Sequence, residues 1–257
     1  MKALVLSDLH LPSNTLAAKF YNDKTIRQFK EQIKDDFDIV LISGDVVESS
    51  IIRSDNNPLE YLYNIFNKPV IFCLGNHEFA HQDFNNVIKY WSQWKHPHVH
   101  CLDVDGSVQI ENVNFVGNVF WYDFSLNKNP LVMQGEILDG WLDATIENFD
   151  PIHENIKCQK QIVDNLSKDM KNVLITHMVP HIELNWFSLE QPHSPYNAYS
   201  GNYDFLGELS EYNVEYAICG HTHKRICKEI NGIKCINIGN DYFFRTNKIE
   251  YMVIELC

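Results

Sequence analysis

Short apolar runs alternate along this chain with stretches in which apolar residues recur at helical spacing. The short runs are rich in Val, Ile, Leu and Phe and predict buried strands. They lie at 2–7, 38–43, 69–74, 173–175 and 214–219. The helical spacing predicts helices at 16–34, 58–66, 83–94, 152–170 and 203–212. We therefore expect an α/β fold in which the strands are buried.

Alternating apolar positions predict two hairpins and a last strand. The first hairpin pairs 107–110 with 113–116, and the second pairs 225–230 with 233–238 around Asn231-Gly232. An Asn-Gly pair between two such runs favours a tight turn. The last strand is predicted at 249–256.

Two long segments, 125–150 and 178–202, show no clear period and are predicted to be irregular loops. Loops of this length in compact domains often form functional lids. The aromatic stretch 121–125 fits either a pocket wall or core packing, and the sequence does not decide between them. Because repeats, low-complexity tracts and linkers are absent from the sequence, we expect one domain over residues 1–257.

The composition limits the partners and the compartment. The net charge of −13 disfavours long nucleic acid as a partner, although bound divalent metals would neutralise part of it. Seven cysteines without C-x-x-C spacing argue against a disulfide framework and favour a cytoplasmic protein. The apolar runs are too short for a membrane span, and the N-terminus does not have the pattern of a secretory signal.

Metal-ligand residue types begin where five of the predicted strands end. In open α/β sheets, ligands bind at the carboxyl ends of the strands. The residues concerned are Asp8, His10, Asp45, Asn76, His177, His221 and His223, together with His77 and Glu78. Chance would scatter Asp and His over helix faces and loops as well.

These residues offer mixed oxygen and nitrogen ligands, which suit first-row metals: Mn, Fe, Zn, Co or Ni. Seven ligands exceed what one metal needs, and one carboxylate that bridges two metals accounts for the number. Two adjacent metals can clamp a phosphoryl group and activate a bridging hydroxide for attack on phosphorus. His77 is then the natural general acid for the leaving group, provided that a carboxylate orients its ring.

The motifs Asp8-x-His10, Gly44-Asp45, Gly75-Asn76-His77-Glu78, His177 and Gly220-His221-Thr222-His223 resemble those of the calcineurin-like metallophosphoesterase superfamily. The resemblance spans residues 8–223 and implies a four-layer αββα sandwich with a dinuclear centre, with manganese or iron favoured. It implies one metal held by Asp8, His10, Asp45 and His223, and a second held by Asp45, Asn76, His177 and His221. It also implies that His77 is the catalytic histidine and that Glu48, three residues after Asp45, orients it.

Departures from known branches narrow the resemblance. Leu11 stands where Ser/Thr protein phosphatases have Gly, and the stretch after Asp45 lacks their Asp-Arg-Gly ending. The stretch 7–11 resembles the diacylglucosamine pyrophosphatases of the lipid A pathway, but these carry Arg in place of His77. The stretch 115–124 is similar to a segment of small bacterial phosphohydrolases of unassigned substrate.

Several residues keep two interpretations. His96, His98 and His100 could form a metal tract or a solvated strand entry. Lys224, Arg225 and Lys228 could hold a substrate phosphate or line a solvated strand edge, and Arg53 could do the same. Asn197 and Tyr199 could enter the site from the second long loop.

The functional hypothesis is a metal-dependent phosphomonoesterase or phosphodiesterase acting on a small soluble phosphate ester. A nuclease of the same superfamily is the second hypothesis, and the acidic composition tells against it. A non-catalytic module that keeps the metal scaffold is the third, but such a chain would be expected to have lost His77 or a ligand. The sequence does not specify the substrate, the metal or the oligomeric state.

Overall fold

The computed structural model describes residues 1–12, 18–48, 57–240 and 248–256, with the side chains of residues 18–21 left out. Arg53 lies outside these residues. The strands found within them are β1 Lys2–Leu6, β2 Ile39–Ser43, β3 Val70–Cys73, β4 Val99–Cys101, β5 Ser107–Ile110, β6 Val113–Asn118, β7 Lys171–Thr176, β8 Val214–Cys219, β9 Ile226–Ile230, β10 Ile233–Asn237 and β11 Met252–Glu255.

The α-helices of the same residues are α1 Ala18–Gln32, α2 Pro58–Phe66, α3 Phe84–Gln93, α4 Leu102–Asp105, α5 Pro151–Asn165 and α6 Trp186–Glu190. Local chemistry sets where three of them begin. The Asn57, Asp83 and Asp150 side chains each accept a hydrogen bond from a backbone N–H in the first turn that follows. Such N-caps satisfy N–H groups that the helix itself leaves unpaired.

The strands form two mixed sheets. The first has the order β11-β1-β2-β3-β4, and the second has the order β5-β6-β7-β8-β10-β9. β1 to β4 are parallel, as are β6, β7, β8 and β10, whereas β5, β9 and β11 pair antiparallel at the edges. The carboxyl ends of β1, β2 and β3, and likewise those of β7 and β8, therefore lie at one edge of their sheet.

Side-chain alternation divides the core into layers. Ala3 and Val5 of β1 pack in one cluster with Val173 and Ile175 of β7, between the two sheets. The intervening residues of these strands belong to a second cluster that includes helix residues such as Phe29 and Ile162. This order of helix, sheet, sheet and helix confirms the predicted four-layer α/β fold. The predicted domain limits at residues 1 and 257 stay a prediction.

The strand predictions are confirmed, but two helix predictions need correction. A helix over 203–212 is wrong, because the backbone of Tyr203 and Phe205 pairs with the preceding loop and only a 3-10 turn forms at Leu206–Leu209. The helix predicted to reach residue 170 ends at Asn165. There the Asn172 side chain accepts a hydrogen bond from Ser167 N and donates one to Ser167 O, and these two bonds hold a turn of the chain.

Candidate metal centre

The predicted ligand residues come together from both sheets. In the first sheet they follow β1, β2 and β3, and in the second they follow β7 and β8. The residues that meet are Asp8, His10, Asp45, Asn76, His177, His221 and His223. The site thus lies where parallel strands end, as expected for α/β proteins.

Five of these residues hold the backbone in the left-handed region, with φ between 45° and 67°. They are Asp8, His10, Asp45, His221 and His223. A non-glycine residue in this region costs on the order of 1–3 kcal/mol, and such strain persists where the surroundings enforce it. Two backbone hydrogen bonds hold the turns here, from Asp8 N to Gly44 O at 3.1 Å and from His10 N to Asp45 O at 3.0 Å. The fold therefore keeps a strained backbone in order to direct these side chains inward.

Two glycines let the chain approach the ligands closely. Gly44 has φ +81°, and a Cβ there would lie 2.4 Å from His177 Nδ1. A Cβ on Gly75 would lie 2.1 Å from Asp45 Oδ1. Neither distance is compatible with a side chain, so both positions require glycine for the centre to keep its shape.

Four potential ligand atoms form a tight group on one side of the centre. His177 Nε2 lies 3.1 Å from Asn76 Oδ1, 3.2 Å from His221 Nδ1 and 3.4 Å from Asp45 Oδ2. Ligand atoms bound to one metal at about 2.1 Å would be separated by roughly 3.0–3.4 Å in octahedral or tetrahedral geometry. The spacing of this group fits a first-row metal ion.

The outward-facing atoms of the same side chains fix which atoms face inward. His177 Nδ1–H donates to Ser43 O at 2.9 Å, and His221 Nε2–H donates to Tyr199 O at 3.1 Å. The Asn76 amide donates to Asp143 Oδ1 at 2.9 Å. The lone pairs of the two rings and of the amide therefore face one another beside a carboxylate. A cation at their centre relieves this repulsion.

Protonation competes with a metal for this position. Burial opposes the charged form of His177, yet the adjacent Asp45 carboxylate raises its pKa to about 10. Burial and the proximity of His177 lower the pKa of His221 to about 3. In spite of burial, which acts the other way, His177 and His77 hold the pKa of Asp45 well below its usual range. The buried carboxylate thus attracts positive charge to the point where the ligand atoms converge.

A second, looser group contains Asp8, His10 and His223, whose ligand atoms all lie within 4.8 Å of one another. His223 Nδ1–H donates to Asn240 O at 2.8 Å, which leaves Nε2 facing Asp8 at 3.9 Å. His10 Nε2 lies 3.8 Å from Asp45 Oδ2. Asp45 Oδ2 therefore faces both groups, as a carboxylate that bridges two metals must.

His77 and Glu48 stand at the rim of this centre. His77 Nε2 lies 3.9 Å from Asp45 Oδ2, and the His77 side chain is 15% exposed. Glu48 Oε2 is 2.9 Å from His10 Nδ1 and 3.8 Å from His77 Nδ1. Glu48 thus reaches both rings but lies nearer to His10, and it can accept a hydrogen bond from His10 Nδ1–H. Its predicted role in orienting His77 stays a prediction.

Two buried carboxylates hold the site, and the sequence analysis assigned a role to neither. Asp143 accepts from the Asn76 amide and, through its other oxygen, from Trp141 Nε1 at 3.1 Å. Glu78 accepts from Val47 N at 2.9 Å and Gly75 N at 2.6 Å, and burial followed by the charge of Asp45 raises its pKa to about 8. Glu78 stood beside His77 in the motif, but no pattern marked Asp143, which lies in a segment without periodicity.

A cleft of about 480 Å³ opens over the centre, within the usual range for small-molecule sites. Both long loops line it, with Trp141 and Leu142 from the first and Phe187, Tyr196 and Ser200 from the second. The remaining lining residues are Asp45, Asn76, His77, Gly140, His221, Thr222, His223 and Lys224. The loops are therefore placed where they can contact a substrate.

The structure separates the residues that had two interpretations. Lys224 lines the cleft, whereas Arg225 and Lys228 pair at the surface with Glu250 and Glu183. Tyr199 enters the site through its backbone carbonyl, which accepts from His221.

The residues of the two remaining aromatic features are not among those that line the cleft. His96, His98 and His100 form no ligand group with one another among the described residues, and His98 stacks on Tyr63. Of the stretch 121–125, Trp121 and Tyr122 are fully buried, and Trp121 packs against Phe79. The core interpretation of this stretch is correct.

Two findings bear on membranes and disulfides. Within the described residues, every helix is too short or too polar to cross a membrane. The six cysteines of the same residues are all free, and five of them are buried.

A four-layer α/β sandwich that gathers candidate His, Asp and Asn ligands at its strand ends is suited to metal-dependent hydrolysis of phosphoric esters. Comparison with known families agrees, because the sequence model described as calcineurin-like phosphoesterase matches residues 1–225. The chain belongs to the calcineurin-like phosphoesterase family.

Comparison with one solved structure, at a TM-score above 0.5, shows the same fold. Phosphopantetheinyl hydrolase from Mycobacterium tuberculosis matches with a TM-score of 0.68 and 17% identity, over 98% of this chain and 95% of that one. TT1561 of Thermus thermophilus is also similar, with a TM-score of 0.49 and 12% identity over 98% and 97% of the two chains. No curated protein sequence matches this chain.

Proposed function

We propose that this enzyme hydrolyses small soluble phosphomonoesters or phosphodiesters at a dinuclear metal centre. The observation that carries the proposal is the convergence of inward-facing lone pairs on Asp45 at the base of an open cleft. One metal would be held by Asp8, His10, Asp45 and His223. The other would be held by Asp45, Asn76, His177 and His221.

The donor set limits the choice of metal. Four imidazoles with two carboxylates and an amide oxygen suit manganese, iron, zinc, cobalt or nickel better than calcium or magnesium. We favour manganese or iron. Bound in pairs, such ions supply Lewis-acid stabilisation of the phosphoryl oxygens and an activated water.

The chain's own residues would carry out the remaining work. His77, at the mouth of the centre, would donate a proton to the departing alkoxide through the ring edge that faces the cleft. Glu48 would accept a hydrogen bond from His10 Nδ1–H and so keep the lone pair of His10 Nε2 directed inward. Glu48 would also orient the ring of His77, whose Nδ1 lies 3.8 Å from the same carboxylate oxygen. Lys224, which lines the cleft, would attract the substrate phosphate.

The charge of the whole chain supports a small substrate. At −13, the net charge repels long nucleic acid, and we expect weak binding of such polymers even with both metals bound. The free, buried cysteines fit a reducing cytoplasm, which is the location that we propose.

Paired hydrolysis assays test this function. We would measure turnover of p-nitrophenyl phosphate and bis-p-nitrophenyl phosphate with Mn²⁺ by the intact chain, His77→Ala and Asn76→Ala. Asn76→Ala should lose at least about 100-fold in kcat, in line with loss of a metal ligand. His77→Ala should lose less on these two esters, because p-nitrophenolate leaves with little help from a proton donor. The matched control is His153→Ala, which removes an exposed histidine on α5. Silence of the metal-loaded chain on both esters would contradict the proposal and favour a non-catalytic module.

A further inference from the structure

Three aromatic rings line one side of the cleft: Trp141, Phe187 and Tyr196, which we call the aromatic wall. The Trp141 and Tyr196 rings lie 5.0 Å apart, and Tyr196 stacks on Phe187 at 5.1 Å with an interplanar angle of 24°. Tyr196 is nonetheless 45% exposed. Phosphoryl transfer itself requires none of these rings, so their position at the mouth of the centre calls for another explanation.

The aromatic wall has a fixed position relative to the metal centre. Trp141 Nε1–H donates to Asp143, whose other oxygen accepts from Asn76, a predicted metal ligand. The Trp141 ring also packs on Tyr199 at 4.8 Å. A single carboxylate therefore sets the orientation of both a ligand and the first ring of the wall.

The two loops that carry the wall are also joined to each other. Asn129 of the first loop donates to His193 O of the second at 2.8 Å, and the His193 ring contacts Lys128 O at 3.2 Å. Because the wall is held before a ligand arrives, binding would lose little conformational freedom.

We propose that the aromatic wall is a subsite for a planar aromatic group on the phosphate ester, bound while the phosphate occupies the metal centre. This inference rests on the proposed function, since it places the phosphate at the metals. Aromatic faces bind another aromatic ring by stacking or edge-to-face contact beyond what burial alone provides. Aliphatic side chains would have sufficed for a purely apolar substrate, and Leu142 is the one aliphatic side chain among the described residues of the cleft lining.

Binding of phosphonates tests this subsite without any need for turnover, because their carbon–phosphorus bond is not a phosphate ester. We would measure, by calorimetry on the full chain with Mn²⁺, the affinities of phenylphosphonate, cyclohexylphosphonate and methylphosphonate. The first two have rings of similar size and differ in planarity. We expect phenylphosphonate to bind about 3- to 10-fold more tightly than cyclohexylphosphonate, the range that aromatic pairing provides.

Variants of the wall should remove this preference. In Phe187→Leu/Tyr196→Leu, which leaves Trp141 and Asp143 in place, the two ring compounds should bind within about twofold of each other. The matched control is Tyr203→Leu, because Tyr203 is 55% exposed and is not among the residues that line the cleft. Its preference for the phenyl compound should equal that of the unmodified chain.

The outcomes separate the subsite from the proposed function. Equal binding of the two ring compounds by the unmodified chain, binding of methylphosphonate but of neither ring compound, or a preference in the double variant as large as that of the unmodified chain would each overturn the subsite. If the unmodified chain hydrolysed neither p-nitrophenyl ester but still preferred the phenyl compound, the result would count against the proposed function alone.

Discussion

Single atoms decide which way the candidate ligands of this centre point. The Asn76 amide could present either its oxygen or its nitrogen to a metal, and only the oxygen can bind one. Asp143 settles the choice by accepting from the amide nitrogen at 2.9 Å. Ser43 O and Tyr199 O do the same for His177 and His221 by accepting from one ring nitrogen each.

Removing the Asp143 carboxylate should therefore weaken the metal centre without touching a ligand. For Asp143→Ala we expect Mn²⁺ affinity to fall about 10- to 100-fold, the usual effect of losing an outer-shell partner. Titration of Mn²⁺ into the protein, monitored by calorimetry, measures this affinity. Asp139→Ala, an exposed carboxylate in the same loop, is the control and should bind Mn²⁺ normally. An unchanged affinity in Asp143→Ala would show that the Asn76 amide does not depend on Asp143.

Residue 44 must be glycine for two reasons: its backbone is left-handed, and a side chain there would collide with the His177 ring. Gly44 and Gly232 have nearly the same backbone angle, φ +81° and +80°, but a Cβ meets the His177 ring at Gly44 and nothing within 4 Å at Gly232. Gly232→Ala should cost about 1–2 kcal/mol in free energy of unfolding, from the left-handed backbone alone. Gly44→Ala should cost more and should also reduce Mn²⁺ affinity, measured by denaturant unfolding and metal titration. If the two substitutions changed stability and Mn²⁺ affinity equally, a collision between residue 44 and His177 would be excluded.

At the scale of elements, the sequence predicted best where one period dominates. The buried strands at 38–43 and 214–219 were located almost to the residue, because both faces of a strand between packed layers are apolar. The helix predicted at 203–212 failed because its first residues bond to the backbone of the preceding long loop, and local periodicity does not show such a contact. The convergence of the candidate ligand residues was predictable from the strand ends, whereas the position of Asp143 and of the loop that carries Trp141 was not.

Asp103 of α4 links the two sheets and should give the fold a pH dependence. Its oxygens accept from Leu74 N, just after β3, at 2.7 Å and from Val119 N, just after β6, at 2.8 Å. Burial raises the pKa of Asp103 to about 7, compared with about 4 for an exposed Asp. Between these values the folded chain holds a proton that the unfolded chain has lost, so stability falls as the pH rises from about 4 to about 7.

The test compares Asp103→Asn with the unmodified chain across that pH range. Asn keeps one acceptor and leaves one backbone N–H unpaired, so we expect a loss of about 1–3 kcal/mol at low pH. The difference in free energy of unfolding between the two proteins should narrow as the pH approaches 7, because Asp103 titrates and the Asn that replaces it does not. Asp139→Asn, which removes an exposed carboxylate of the first long loop, should leave the pH profile unchanged. A constant difference between pH 4 and 7 would show that Asp103 does not titrate there.

At the scale of the whole molecule, the candidate metal centre is a junction between two sheets. Asp8, Asp45 and Asn76 extend from the first sheet, and His177 and His221 extend from the second. The Asp45 carboxylate meets the His177 ring across this junction at 3.4 Å. Metals bound here would therefore join the layers as well as act on a substrate.

Metal binding should consequently raise the melting temperature through ligands of both sheets. At a free Mn²⁺ concentration 100 times the Kd, one site contributes about 2.7 kcal/mol. For a chain of this length that is a rise of about 5–11 °C in Tm relative to the chelated protein, measured by calorimetry. Asn76→Ala from the first sheet and His221→Ala from the second should each reduce the rise by a similar amount, whereas His153→Ala should keep it. A rise that depends on the ligands of only one sheet would mean that the metals bind without joining the two layers.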